Sequence, residues 1–222
     1  LALAGDLINV ETLFSAKELV SNLGGRTECR IADTCIPPND RGLYAGTVPI
    51  EEINNSEIIF IIGSNPRIEA PVLNARIRNS WLKGTEVNLV GEKSDLTYEY
   101  NHLGTSLSEL DKIIKSKTRL FENKRILIIL GQGIFSRNDG YEALEVVKKF
   151  KESLNAELIS LHVAASRVGA MDLNFVSDPG YSSSIEWSDI ILNIGMDEYD
   201  LPEDKFVIYQ GSHGDRGANR AD

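Results

Sequence analysis

Six short, almost wholly apolar runs restrict this chain more than any other feature, and five of them close on glycine. They lie at residues 57–63, 87–91, 125–131, 157–161, 189–195 and 206–211, the sharpest being Ile58-Ile-Phe-Ile-Ile62. Continuous rather than alternating apolarity predicts strands covered on both faces, as in a parallel sheet between layers of helices. Helical patterns fill the gaps. Residues 11–23 stop at Gly24-Gly25, and residues 139–151 carry Tyr141, Leu144, Val147 and Phe150 on one predicted face. The fold class that follows is α/β, doubly wound, with mostly parallel sheets.

Apolar density falls between about residues 99 and 124, and Lys115-Ser-Lys-Thr-Arg119 is polar, so a boundary is expected there. It divides the chain into a first α/β unit at 1–118 and a second at 119–222. The 222 residues, 42% hydrophobic and 25% charged, suffice for a buried core.

Charge and run length exclude several functions. A formal net charge of −10 lacks the clustered cations that a phosphate backbone demands, so nucleic acid is not an expected partner. The longest apolar run falls well short of the roughly 20 residues a membrane-crossing helix needs. The opening Leu-Ala-Leu-Ala-Gly-Asp6 has neither the basic start nor the long apolar stretch of a signal peptide, and it reads as the interior of a longer chain. Two cysteines, Cys29 and Cys35, are too few for a closed structural zinc site or an iron–sulphur site and read as reduced thiols. No metal site is expected.

Gly63-Ser64-Asn65-Pro66-Arg67 follows a strand directly, with Pro66 suited to the first helical position. Amides at such a turn face the carboxyl end of the sheet, where anions bind in open α/β folds. Gly63, Ser64, Asn65 and Arg67 are therefore the candidate anion loop. Gly131-Gln132-Gly133 begins like a dinucleotide fingerprint. Its third position is Ser136, and no acidic residue ends the next strand, which runs into Leu161-His162-Val163, so that reading fails. Ser212-His213-Gly214-Asp215 brings together triad residue types, but neighbours in sequence cannot line up nucleophile, base and orienter. A turn is expected there, and His102 and His162 are expected to be structural.

Several stretches carry a wider resemblance. Gly63-Ser-Asn-Pro-Arg-Ile-Glu-Ala-Pro-Val-Leu-Asn-Ala-Arg-Ile-Arg78, with Trp81 after it, resembles a signature of the large iron–sulphur subunit of proton-pumping NADH–quinone oxidoreductase, respiratory complex I. The same family is echoed in order by Asp95-Leu-Thr-Tyr98, His102-Leu-Gly104, Leu130-Gly-Gln-Gly133, Arg137-Asn-Asp-Gly140, Ala170-Met-Asp-Leu173 and Tyr209-Gln-Gly-Ser-His-Gly-Asp-Arg-Gly217. The resemblance implies a molybdopterin oxidoreductase-like fold, of the formate dehydrogenase or DMSO reductase type, with one α/β unit inserted into another. It also implies a parent subunit with 4Fe–4S and 2Fe–2S clusters, held by cysteine motifs outside this segment. The expected partners are the other subunits of a peripheral arm, on the cytoplasmic face of the inner membrane or the mitochondrial matrix side.

Active molybdenum relatives carry an Asp-Pro-Arg type motif after the next strand, where this chain reads Val90-Gly91-Glu92-Lys93. Neither cysteine has the surroundings expected of a metal ligand. What the resemblance implies is thus a module without catalytic residues or bound cofactor in a redox complex. The alternative is a functional molybdopterin-binding domain of a formate-dehydrogenase-like enzyme.

Overall fold

The computed structural model describes residues 1–30, 34–177 and 180–222, the side chains of 116–119 excepted. Its elements form two compact units, residues 35–162 and a discontinuous unit of 1–34 with 163–222.

In the discontinuous unit, β1 (Ala2–Ala4) and β2 (Thr27–Glu28) are joined through α1 (Val10–Asn22). Asn9 starts that helix, its side chain accepting from the Thr12 amide at 2.8 Å. After α8 (Arg167–Asp172) and α9 (Tyr181–Trp187) come β8 (Ile190–Ile194), β9 (Phe206–Gln210) and α10 (Arg216–Arg220). The parallel sheet has the order β2-β1-β8-β9. Leu1, Leu3, Ile185, Ile191, Met196, Leu201 and Val207 form its core on one face.

The other unit begins with α2 (Arg41–Tyr44) and a 3-10 turn at Ile50–Asn54. Then follow β3 (Ile58–Ile62), α3 (Pro66–Glu69), α4 (Pro71–Trp81), β4 (Glu86–Val90), β5 (Asn101–Gly104) and α5 (Ser108–Lys117). The unit closes with β6 (Ile126–Leu130), α6 (Gln132–Phe135), α7 (Gly140–Leu154) and β7 (Glu157–Ser160). The order is β5-β4-β3-β6-β7, parallel throughout. Central strands β3 and β6 are buried along their whole length, as uninterrupted apolar runs require. Ile59 and Ile61 pack toward Leu73 and Ile77 of α4. Phe60 meets Phe150 of α7 edge-on at 5.0 Å. Pro66 and Pro71 each open a helix, where the missing N–H costs nothing.

Two expectations need correction. A division at 118/119 would cut the second sheet, because β3 and β6 pair along their full length across that boundary. The polar stretch behind that expectation is the sheet's edge and flank: β5 is an edge strand whose residues are exposed or half-buried, so it needs little apolar sequence. Tyr141 does not share the buried stripe of α7. Gly140, Ala143, Leu144, Val147, Phe150 and Leu154 do, and Tyr141, one residue off that stripe, is 49% exposed.

Candidate functional site

In the sheet β5-β4-β3-β6-β7 the chain leaves β3 toward β4 on one side and leaves β6 toward β7 on the other. The carboxyl ends of β3 and β6 thus form the switch point, where open α/β sheets hold ligands. A crevice of about 620 Å³ lies there, lined by Gly63, Ser64, Asn65, Glu69, Lys93 and Arg137 among others.

Close backbone approach explains the glycines. Gly63 has φ +59°, and a Cβ on it would lie 2.7 Å from Ile134 Cγ1. A Cβ on Gly131 would stand 2.5 Å from the Gly63 carbonyl oxygen. The Gly133 amide donates to that same oxygen at 2.9 Å. Gly131-Gln132-Gly133 is therefore a packing motif that seats one switch-point loop on the other, not a dinucleotide cradle.

The four candidate loop residues divide. Gly63, Ser64 and Asn65 line the crevice, whereas Arg67 turns to Asp95, bonding both its carboxylate and its backbone carbonyl. Two amides, one from each switch-point loop, are already held by one carboxylate. Glu69 Oε1 accepts the Asn65 amide at 2.8 Å, and Oε2 accepts the Gln132 amide at 3.2 Å. A glutamate reaching back to the residue before its helix is a variant of the capping box, which sequence spacing can suggest. The bridge to Gln132, 63 residues away, has no local signal. Arg137 forms two bonds of 2.6 and 2.7 Å to Asp139, which hold its pKa above and that of Asp139 below the ordinary values.

A phosphate-bearing cofactor does not fit this arrangement. Its phosphate would meet a carboxylate seated on both of these amides, with Glu92 beside Lys93 in the lining. The side-chain oxygens of Ser64, Asn65 and Ser94 are buried without a protein partner. They are neutral polar atoms and supply no charge that would hold a phosphate.

Two of the resemblance segments, 63–78 and 95–98, prove to be mutual partners. Asn74 of α4 is 5% exposed; its Nδ2 donates to the Leu96 carbonyl at 3.0 Å, and its Oδ1 accepts from the Tyr98 hydroxyl at 2.8 Å. Arg78 Nε donates to the Thr97 carbonyl. Burial pushes the Tyr98 phenol well above its ordinary pKa. Sequence reasoning did not single out Asn74 or Glu69, because their partners lie in other segments.

In the discontinuous unit the switch point lies between β1 and β8. Glu198 Oε1 accepts the Asp6 amide at 3.1 Å, and its Oε2 accepts the Asp197 amide at 3.0 Å. Burial raises the pKa of both Asp6 and Glu198. A carboxylate thus bridges the two central loops in each unit. A buried ion pair joins Glu28 to Arg30, and Glu28 also accepts the amides of Cys29, Arg30 and Ser177.

The remaining candidates take structural places. Cys35 Sγ donates to the Arg137 carbonyl at 3.3 Å. Burial pushes the Cys29 thiol up to about 12, so Cys29 is not a reactive thiolate at neutral pH. His102 Nε2 lies 2.9 Å from the Gly91 carbonyl, and His162 stacks on Phe135 at 5.6 Å. In the Ser212–Asp215 turn, Ser212 Oγ meets His213 Nδ1 at 2.8 Å. Asp215 points away from that pair, capping α10 and bonding Tyr209, which lifts the tyrosine to about 12. Among the described residues no three His, Cys, Asp or Glu side chains converge as a metal site, and no helix is long and apolar enough to cross a membrane.

Residues 1–222 match the family model for molybdopterin oxidoreductase. The chain is 35% identical, over its whole length, to the mitochondrial NADH-ubiquinone oxidoreductase 78 kDa subunit of Neurospora crassa, covering 32% of that protein. Identity is also 35% with the 75 kDa subunit of Reclinomonas americana, over 98% of this chain and 36% of the relative. An NADH-quinone oxidoreductase subunit of Rickettsia bellii is 33% identical over the whole chain and 34% of its own length. The chain thus spans about a third of the length of these relatives.

Proposed function

This chain belongs to the molybdopterin oxidoreductase family, and from that premise we propose that it is a structural module of the large iron–sulphur subunit of a proton-pumping NADH–quinone oxidoreductase. In this reading the parent complex passes electrons from NADH to quinone through 4Fe–4S and 2Fe–2S clusters held outside residues 1–222. The module packs against neighbouring subunits of a peripheral arm, on the cytoplasmic or matrix side of the membrane, and contributes no catalytic residue and holds no cofactor.

The observation that carries the reading is the Glu69 carboxylate on the Asn65 and Gln132 amides, which fills with the chain's own charge the place where an anionic cofactor would be held. Arg67, bound to Asp95, is likewise spent. With no activated thiol at Cys29, redox work falls to groups elsewhere in the subunit.

Metal analysis of the purified full-length subunit tests this. The expected result is iron without molybdenum or tungsten, and no pterin on denaturation. Molybdenum or tungsten near one equivalent, with a released pterin, would overturn it and favour a formate-dehydrogenase-like enzyme.

A further inference from the structure

One face of the sheet β5-β4-β3-β6-β7 changes character halfway across. Register sets Ile126 and Ile128 of β6, Ile58 and Phe60 of β3, Glu86 and Asn88 of β4 and Asn101 of β5 on that face. Strands of a parallel sheet covered on both faces stay apolar, yet Asn88 is only 4% exposed in the middle of β4. Its Nδ2 donates to Glu86 Oε1 at 3.0 Å, and Asn101 Nδ2 donates to that oxygen and to Asn88 Oδ1, each at 3.2 Å. Glu86 Oε2 and Asn101 Oδ1 accept no bond from the described residues, so the polar row offers unspent acceptors. A cavity of about 760 Å³ opens over it at the amino ends of β3 and β4, away from the switch point. Such a volume suits a small ligand. Leu120, 69% exposed, and Phe121 add apolar lining. Of the three cations in the lining, Lys124 is paired with Glu57, while Lys83 and Arg125 make no ion pair among the described residues.

We propose that this cavity binds a nucleoside monophosphate whose base carries an exocyclic amino group, with adenosine monophosphate (AMP) as its probe. The amino group donates to Glu86 Oε2 and Asn101 Oδ1, the base covers Leu120 and Phe121, and Lys83 and Arg125 attract the phosphate. A purely apolar ligand would leave both acceptors without a donor. An inorganic anion would leave the apolar lining bare and meet the Glu86 carboxylate. The site is separate from the switch-point crevice, and the inference does not depend on the functional reading.

Photolabelling of the full-length subunit within its complex with azido-AMP, followed by peptide mapping, tests this. The expected outcome is label within residues 54–125, which AMP suppresses about tenfold more effectively than inosine monophosphate, which lacks the amino group, or inorganic phosphate. Lys83→Glu and Asn101→Leu, both at exposed positions, should each reduce that label by about tenfold or more. No label in this range, equal suppression by either competitor, or label retained in either variant would overturn the proposal. None of those results bears on the metal content that tests the functional reading.

Discussion

Asn74→Ala probes the contact that joins two of the segments carrying the family resemblance. Asn74 is 5% exposed and holds the Leu96 carbonyl and the Tyr98 hydroxyl at once. Truncation removes a donor from one buried group and an acceptor from another, each costing about 1–3 kcal/mol. A loss of about 3 kcal/mol is expected, with Tyr98→Phe costing about 1–2 kcal/mol because it strands only the Asn74 oxygen. The double variant should cost about 1 kcal/mol less than the sum, since the hydroxyl orphaned by the first change is absent in the second. Trp81 lies 6.3 Å from Tyr98, so urea unfolding followed by Trp81 fluorescence in a Trp187→Phe chain reads this unit. At an m-value of about 2 kcal/mol per molar, Asn74→Ala should lower the midpoint by roughly 1.5 M. A shift under about 0.3 M, or strict additivity in the double variant, would refute the assignment.

The buried pair in the discontinuous unit makes a contrasting case. Glu28→Ala leaves the Arg30 guanidinium without this carboxylate and should cost about 3–5 kcal/mol, whereas replacing both residues by Met should cost less than the single change. Trp187 fluorescence in a Trp81→Phe chain reads it, and a double variant as damaging as the summed singles would contradict the expectation. For Glu198, burial raises the pKa first and the Asp6 charge adds to it. A carboxyl whose folded pKa exceeds its unfolded one contributes stability that is full below the unfolded value and is lost as pH rises through the folded value. Carboxyl-carbon NMR should therefore show Glu198 titrating above 4.5, with Asp6→Asn lowering the midpoint; a midpoint at or below 4.5 would contradict the burial argument.

Local chemistry made much of the architecture legible. Runs such as 58–62 and 126–130 announce buried parallel strands because no edge or half-exposed strand tolerates five consecutive large apolar residues. Pro66 marked a helix start because its fixed φ suits only the first turn. The strands β1, β2 and β5 escaped, being two to four residues long, and β5 sits at an edge where apolar patterning is not required. The turn after β3 was legible from Gly63 and Pro66, but its contacts were not: the Gln132 amide that Glu69 also holds comes from a distant strand end.

Most of the element types, the parallel character of the sheets and the family were legible along the chain, because these follow from periodicity, turn chemistry and motif order. That one unit is inserted into another was implied by the resemblance, but only strand pairing gave its bounds, residues 35–162, since pairing and not proximity in sequence selects neighbours in a parallel sheet. Tertiary structure alone decided that Arg67 faces Asp95 and that Glu69 faces the crevice. Side-chain direction around a loop depends on which partners converge there, and convergence is a property of three dimensions.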